Sequence, residues 1–278
     1  MKKTFTYNGL TLEYLIEGNG PETIVCLHGF GREAEDFLAF TPLLKPEQRI
    51  VSINLFAHGN STFPRERISK RPLSKEEWRN VVGELMDSLG SPDFHLMGYS
   101  MGGRMAMMLA EAMPERIKSL VLLAPDGLKR NWIYRFVSET KPGRMLYRYI
   151  IEKPALIFRI VDLLRALRIL HQKIHRFVHV QLETREKRQL VYDAWLIHRN
   201  LFPDLRLVAA AIEKQGIPFV LFFGSHDLVI PSRDGQRLLR YFRSSRQSVL
   251  LPLGHRLINS TTIEYFRENG TWMPTAFE

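Results

Sequence analysis

The chain has 278 residues, 45% of them hydrophobic, and a formal net charge of +10. That length and composition suit one large α/β domain, or a core with an inserted subdomain. A single cysteine, Cys26, excludes an internal disulfide framework and any zinc site built from cysteines.

The first residues, MKKTFTYNGLTLEYLIEG, lack the apolar core of a signal peptide, and their alternation predicts a β-hairpin turning at Asn8–Gly9. No run of 18 uncharged apolar residues occurs, so no transmembrane helix is expected. Cys26, inside TIVCL, reads as an inert buried thiol, which fits a reducing, cytoplasmic location. Short apolar runs predict buried parallel strands: TIVCLH (23–28), RIVSINL (49–55), DFHLMG (93–98), SLVLLA (119–124), FVLFFG (219–224) and QSVLLP (247–252). Helical patterns fall between them, over 75–89 behind Ser74 as N-cap, over 101–113 and over 232–243. Strand alternating with helix implies a doubly wound, mostly parallel α/β sheet.

The alternation stops between about 126 and 204. This stretch is helical, aromatic and basic, broken at Pro142-Gly143 and Pro154. Residues 128–204 hold 16 Lys and Arg against 7 Asp and Glu, a net of +9. The expected organisation is a core of 1–125 and 205–278, with a basic helical cap inserted at 126–204.

The informative motif is GYSMGG, residues 98–103, between a predicted strand and a predicted helix. A serine on so sharp a strand-to-helix turn has strained backbone dihedrals. Side chains two positions before and after it would collide with the turn, which explains Gly98 and Gly102. Ser100 is then raised clear of the sheet, and the helix aims its N-terminal N–H groups at the same place. Three more features follow the same logic. CLHGFG (26–31) ends an earlier strand; His28–Gly29 turns the chain there, so the Phe30 and Met101 amides are candidate oxyanion donors and His28 a candidate brace for the loop. FFGSHDLVIP (222–231) sets Asp227 just after a late strand; its rival, Asp126 in LLAPDG, reads as a turn residue. LPLGHRLI (251–258) puts His255 after the last strand, completing the order Ser, Asp, His.

With HGFG, NLFAHGNS (54–61), GYSMGG, GSHDLVIP and GH in this order, the chain resembles the α/β-hydrolase fold superfamily over about 1–125 and 205–278. NLFAHGNS is similar to a loop that this family usually writes D-x-P-G-x-G-x-S. Asn54, Phe56 and Ala57 replace its Asp, Pro and Gly, so a differently built loop is expected. The resemblance implies a serine hydrolase with Ser100 as nucleophile, His255 as base and Asp227 as its orienting carboxylate, working without metal or cofactor.

The basic helix PALIFRIVDLLRALRIL (154–170) carries one polar stripe, Arg159, Asp162, Arg165 and Arg168, on an otherwise apolar surface. Two readings are open: an apolar face packed internally beneath a solvated arginine stripe, or a helix in peripheral contact with an anionic membrane. Nucleic-acid binding is not expected, because the charge is interleaved with Leu and Ile and no binding motif occurs. His171, His175 and His179 share a helical face but have no carboxylate at ligand spacing, so no metal is expected. The expected substrate is a small hydrophobic acyl ester, of the monoacylglycerol or lysophospholipid kind. A runner-up follows from Arg104: GYSMGGR resembles the menaquinone-pathway member that eliminates pyruvate from an acidic metabolite, although the long apolar cap is unlike that branch. A binding protein retaining the fold is a third class, disfavoured by the complete Ser, Asp and His set.

Overall fold

The computed structural model describes residues 2–243, 248–270 and 272. Asn8 and Gly9 take φ +48° and +78°, the left-handed pair that a two-residue hairpin needs, so β1 (Lys2–Tyr7) returns directly as β2 (Leu10–Glu17). Next come β3 (Glu22–Leu27), β4 (Gln48–Ile53), α1 (Arg65–Ile68), α2 (Lys75–Ser88), β5 (Phe94–Tyr99), α3 (Met101–Ala112) and β6 (Ile117–Leu123). Five helices then run without a strand between them: α4 (Trp132–Glu139), α5 (Lys141–Glu152), α6 (Ala155–Ala166), α7 (Gln172–Leu182) and α8 (Arg185–Ile197). The alternation resumes with α9 (Leu205–Gln215), β7 (Phe219–Gly224), α10 (Gln236–Leu239), β8 (Val249–Leu251) and α11 (Ser260–Asn269).

The strands form one sheet in the order β1-β2-β4-β3-β5-β6-β7-β8. The β1–β2 and β2–β4 pairs are antiparallel, and every later pair is parallel. β5 is buried at each of its six positions, as its unbroken apolar pattern requires of a strand covered on both faces. Ser74 begins α2 with a capping box, its hydroxyl accepting from the Glu77 amide while the Glu77 carboxylate accepts from the Ser74 amide. Trp78 on that helix is fully buried and donates its indole N–H to the Met105 carbonyl at 3.2 Å. Met97, Met105, Met107 and Met108 are all buried, so the methionines around the elbow are core packing. Cys26 is also fully buried, and burial raises its thiol pKa far above the ordinary value.

Two expectations need correction. The helix predicted over 232–243 is a 3-10 turn at Ser232–Gly235 followed by the single turn of α10. Gly235 lies so close to β7 that a Cβ there would meet the Phe223 ring at 2.6 Å. The second correction concerns domain boundaries. The chain divides into one compact unit of Met1–Pro64, Leu73–Lys129 and Asn200–Glu278, and a second of Arg65–Pro72 and Arg130–Arg199. Residues 65–72, read from sequence as core, belong with the helical unit because the Arg199 guanidinium donates to the carbonyls of Ile68 and Ser69 at 2.7 and 2.8 Å. Within the helical unit α6 has a single buried residue, Val161. Ile157, Phe158 and Leu164 are half-buried and Phe158 stacks on the His179 ring, while Leu156, Ile160, Leu163 and Leu167 are exposed, so part of its apolar surface is covered and part is not.

The 54–61 loop is built around an unexpected carboxylate. Glu13, on β2, is 2% exposed and accepts from Asn54 Nδ2 and Asn60 Nδ2, each at 2.5 Å, and from the Asn60 amide at 3.0 Å. Asn54 Oδ1 accepts from the Ala34 amide at 2.7 Å. Asn54 therefore bridges two segments with both ends of its amide, and the charge comes from β2. Ala57, at the position of a family glycine, carries φ +70°, a left-handed conformation that a methyl group makes costly. Burial works against the ionised Glu13, but the Asn60 and Asn54 hydrogen bonds and the nearby Lys2 ammonium prevail and hold its pKa below the usual 4.5. Glu13→Gln is expected to cost about 2 kcal/mol near neutral pH in thermal or urea unfolding. A carboxyl with a depressed folded pKa stabilises fully above its unfolded pKa and loses that contribution as pH falls through the folded value. The stability gap between wild type and variant should therefore narrow on acidification; a gap independent of pH would rule this account out.

Candidate active site

Ser100 joins β5 to α3 with φ +51° and ψ −115°, a conformation that costs a non-glycine residue about 1–3 kcal/mol. Its surroundings enforce that geometry. A Cβ on Gly102 would lie 1.9 Å from the Leu27 carbonyl oxygen, and one on Gly98 would lie 2.5 Å from the Gly102 oxygen. A Cβ on Gly103 would press on Pro125 at 2.6 Å. The Ser100 backbone is pinned on both sides, its amide donating to Leu123 O at 2.9 Å and its carbonyl accepting from the Asp126 amide at 2.8 Å. The hydroxyl makes no capping bond to α3 and is turned instead toward His255.

Ser100 Oγ and His255 Nε2 lie 3.0 Å apart, and His255 Nδ1 lies 2.7 Å from Asp227 Oδ2. With Nδ1–H donating to the carboxylate, Nε2 presents its lone pair to the serine O–H. Asp227 Oδ1 accepts from the Val229 and Ile230 amides at 2.7 and 3.0 Å, so both carboxylate oxygens are occupied by donors. The loops after β7 and β8 are tied together: Ser225 N donates to Leu251 O at 2.8 Å and His226 N to Leu253 O at 2.9 Å. A Cβ on Gly224 would fall 2.2 Å from the Gly254 oxygen, so that glycine is what lets the loops approach. Asp227 and His255 are thus set by one clasp. A further residue, unmarked in the sequence reading, supports it. Tyr99 donates its hydroxyl to the His255 carbonyl at 3.0 Å, with its ring 5.4 Å from the imidazole. Burial pushes the Tyr99 phenol well above its usual 10, so it stays protonated as a donor.

The 28–31 loop is braced by two histidines. His28 is fully buried; its Nε2 accepts from the Leu55 amide at 3.0 Å and its Nδ1 contacts the Gly29 carbonyl at 2.7 Å. These contacts join the 28–31 loop to the backbone at Leu55. His58 was not foreseen. Its Nε2 accepts from the Gly31 amide at 3.0 Å, its Nδ1 lies 3.2 Å from the Phe56 carbonyl, and its ring meets those of His28 and Phe30 edge-on. Burial lowers the His58 pKa, which keeps the ring neutral and able to accept. Gly29 is held against the elbow, where a Cβ would stand 3.2 Å from Ser100 Cβ and closer still to the Tyr99 ring. Among the described residues the Phe30 and Met101 amides donate to no protein acceptor.

Arg104 is 2% exposed; its guanidinium lies 3.5 Å from Asp126 Oδ2 and 4.7 Å from the centre of the Phe202 ring. Asp126 Oδ1 accepts from the Gly127 amide at 2.7 Å, the turn role expected of it. In the helical unit, α6 brings Asp162 to the α7 histidines. His175 Nε2 and His179 Nε2 each lie 2.8 Å from Asp162 Oδ1. No carboxylate had been expected there, because Asp162 is 13 residues away in sequence. Two imidazoles and a carboxylate are donors suited to a metal such as zinc, yet the three also satisfy one another, and those bonds hold Asp162 below the usual carboxylate range. His171 is diverted from this group, its Nδ1 accepting from the Lys173 amide at the start of α7.

A family model described as alpha/beta hydrolase fold matches residues 22–258. A Bacillus subtilis protein named as a candidate 2-succinyl-6-hydroxy-2,4-cyclohexadiene-1-carboxylate synthase is 33% identical over 122 residues, covering 42% of this chain and 43% of that one. A 2-hydroxy-6-oxononadienedioate/2-hydroxy-6-oxononatrienedioate hydrolase of Escherichia coli is 26% identical over 257 residues, covering 86% of this chain and 82% of that one. The chain spans less than half the length of the first curated relatives it matches. Among solved structures, a membrane phospholipase A described as a bacterial virulence factor superposes with a TM-score of 0.64 at 20% identity, over 96% of this chain and 84% of that one; this likeness is one of fold.

Tyr99→Phe keeps the ring beside the imidazole and deletes the hydroxyl bond to the His255 backbone. It is expected to cost about 1 kcal/mol of stability in thermal or urea unfolding. Unaltered stability would show that the hydroxyl has no part in holding the His255 loop.

Proposed function

Because the chain belongs to the alpha/beta hydrolase fold family, we propose that it is a serine hydrolase that cleaves carboxylic esters of a hydrophobic acyl substrate, of the monoacylglycerol or lysophospholipid kind, through an acyl-enzyme. The observation that carries this reading is the pair of hydrogen bonds linking Ser100 to His255 and His255 to Asp227.

A neutral serine hydroxyl is a weak nucleophile. Here His255 Nε2 takes the Ser100 proton as Oγ attacks the ester carbonyl, and the Asp227 carboxylate stabilises the imidazolium that forms. The carbonyl oxygen becomes an oxyanion between the Phe30 and Met101 amides, the second at the N-terminus of α3. His255 then protonates the leaving alcohol, and water, deprotonated by the same imidazole, releases the acid. His28 and His58 act one step removed, by fixing the loop that carries Phe30. The alternative lyase reading would use Arg104, whose guanidinium lies beside the Asp126 carboxylate and the Phe202 ring. A reducing, cytoplasmic location suits the one fully buried cysteine. No helix of the described residues is long and apolar enough to cross a membrane.

Ser100→Ala should lose about 10⁵–10⁶ in kcat while folding normally, and a fluorophosphonate probe should label the wild type but not the variant. Equal labelling, or residual turnover near wild type, would refute the nucleophile. A panel of nitrophenyl esters of increasing acyl length tests the substrate class separately. Rising kcat/KM from acetyl to dodecanoyl is expected; a preference for acetyl would discard the lipid reading and leave the serine hydrolase standing.

A further inference from the structure

The helical unit combines two properties that ordinary surfaces keep apart. Of the 17 large apolar side chains exposed among the described residues, 13 lie between Trp132 and Val180. On α6 they form a single face: Leu156, Ile160, Leu163 and Leu167, spaced four, three and four apart, are 44% to 59% exposed. That spacing returns to the same side of a helix at every turn. Trp132 on α4 and Met145 on α5 are exposed at 74% and 70%. Soluble surfaces carry scattered apolar residues but seldom such a concentration.

Charge identifies what covers it. The helical unit, 65–72 with 130–199, holds 19 Lys and Arg against 7 Asp and Glu, a net of +12. The remainder of the chain holds 20 against 22, a net of −2. On α6 the exposed Arg159 follows the apolar face closely in the helical projection, and the exposed Lys153 and Arg168 stand at the two ends of the helix. Their methylene stems can lie along an apolar layer while the charged heads reach anionic groups at its border. A second copy of the chain would present the same positive charge and be repelled. An anionic bilayer presents an apolar interior beneath a negative rim, matching both properties at once.

We propose that the helical unit docks peripherally on anionic membranes through the α6 face, with Leu156, Ile160, Leu163 and Leu167 entering the acyl boundary and the flanking basic residues meeting lipid headgroups. This proposal does not rest on the hydrolase reading, and its test is carried out on the full chain bearing Ser100→Ala, so that lipid turnover plays no part. Co-sedimentation is measured with vesicles of phosphatidylcholine, with and without phosphatidylglycerol. Binding to the mixed vesicles is expected to be at least about tenfold tighter than to pure phosphatidylcholine, and to weaken with salt. Leu163→Asp with Leu167→Asp should lower it about tenfold or more. Both positions are exposed, so the variant should fold, which circular dichroism and thermal melting check. Arg159→Glu with Lys153→Glu, which leaves the apolar face intact, should also weaken binding. Absence of binding, equal binding to neutral vesicles, or full binding by the aspartate variant would each overturn the proposal. So would a dimer in light scattering that the aspartate variant disperses, since a second copy would then be the occupant.

Discussion

The first turn of α3 passes so close to the end of β3 that only a hydrogen atom fits between Gly102 and the Leu27 carbonyl. The rest of the site depends on this contact. With the helix held there, Ser100 must turn through positive φ, and Gly98 must lack a side chain to let the turn close. Leu27 is also the last residue of β3, immediately before His28 and the loop bearing Phe30. One close approach therefore sets Ser100 and the Met101 amide beside the Phe30 amide on the neighbouring loop. Strain at a single residue is maintained by a packed interior that has no room for an alternative.

A layer of buried polar groups supports this geometry. His28 and His58 accept backbone amides from the loops beside them, and Glu13 gathers the donors of Asn54 and Asn60. Burying a carboxylate or an imidazole is costly unless its partners are in place. Here the partners are loop backbone amides and the side-chain amides of Asn54 and Asn60, so the groups that would be expensive to leave unpaired define the positions of the loops. The replacement of the family aspartate by Asn54 is compatible with this because Glu13 brings a carboxylate from a different strand.

Much of this arrangement could be read from the residues in order. The Asn8–Gly9 turn, the apolar strands, the elbow glycines and the succession Ser100, Asp227, His255 are local patterns whose meaning depends on a few neighbouring positions. What escaped the reading is set by distant contacts. His58 reaches Gly31 across 27 residues, and Glu13 reaches Asn60 across 47. The short stretch at 65–72 gave no sign that Arg199 would hold its carbonyls. The histidines of α7 found a carboxylate only because α6 folds back along them. Periodicity also showed that α6 has an apolar side without showing which side would be left uncovered. The predicted helix at 232–243 failed for a related reason: Gly235 answers to the ring of Phe223 rather than to helix propensity.

The hydroxyl and the imidazole that meet at 3.0 Å are 155 residues apart, and the imidazole and carboxylate 28. Closing so large a loop costs chain entropy, which the contacts of the intervening strands and helices offset. The Ser100 hydroxyl, the His255 imidazole and the Asp227 carboxylate therefore come within hydrogen-bond reach only when the sheet from β5 to β8 is complete.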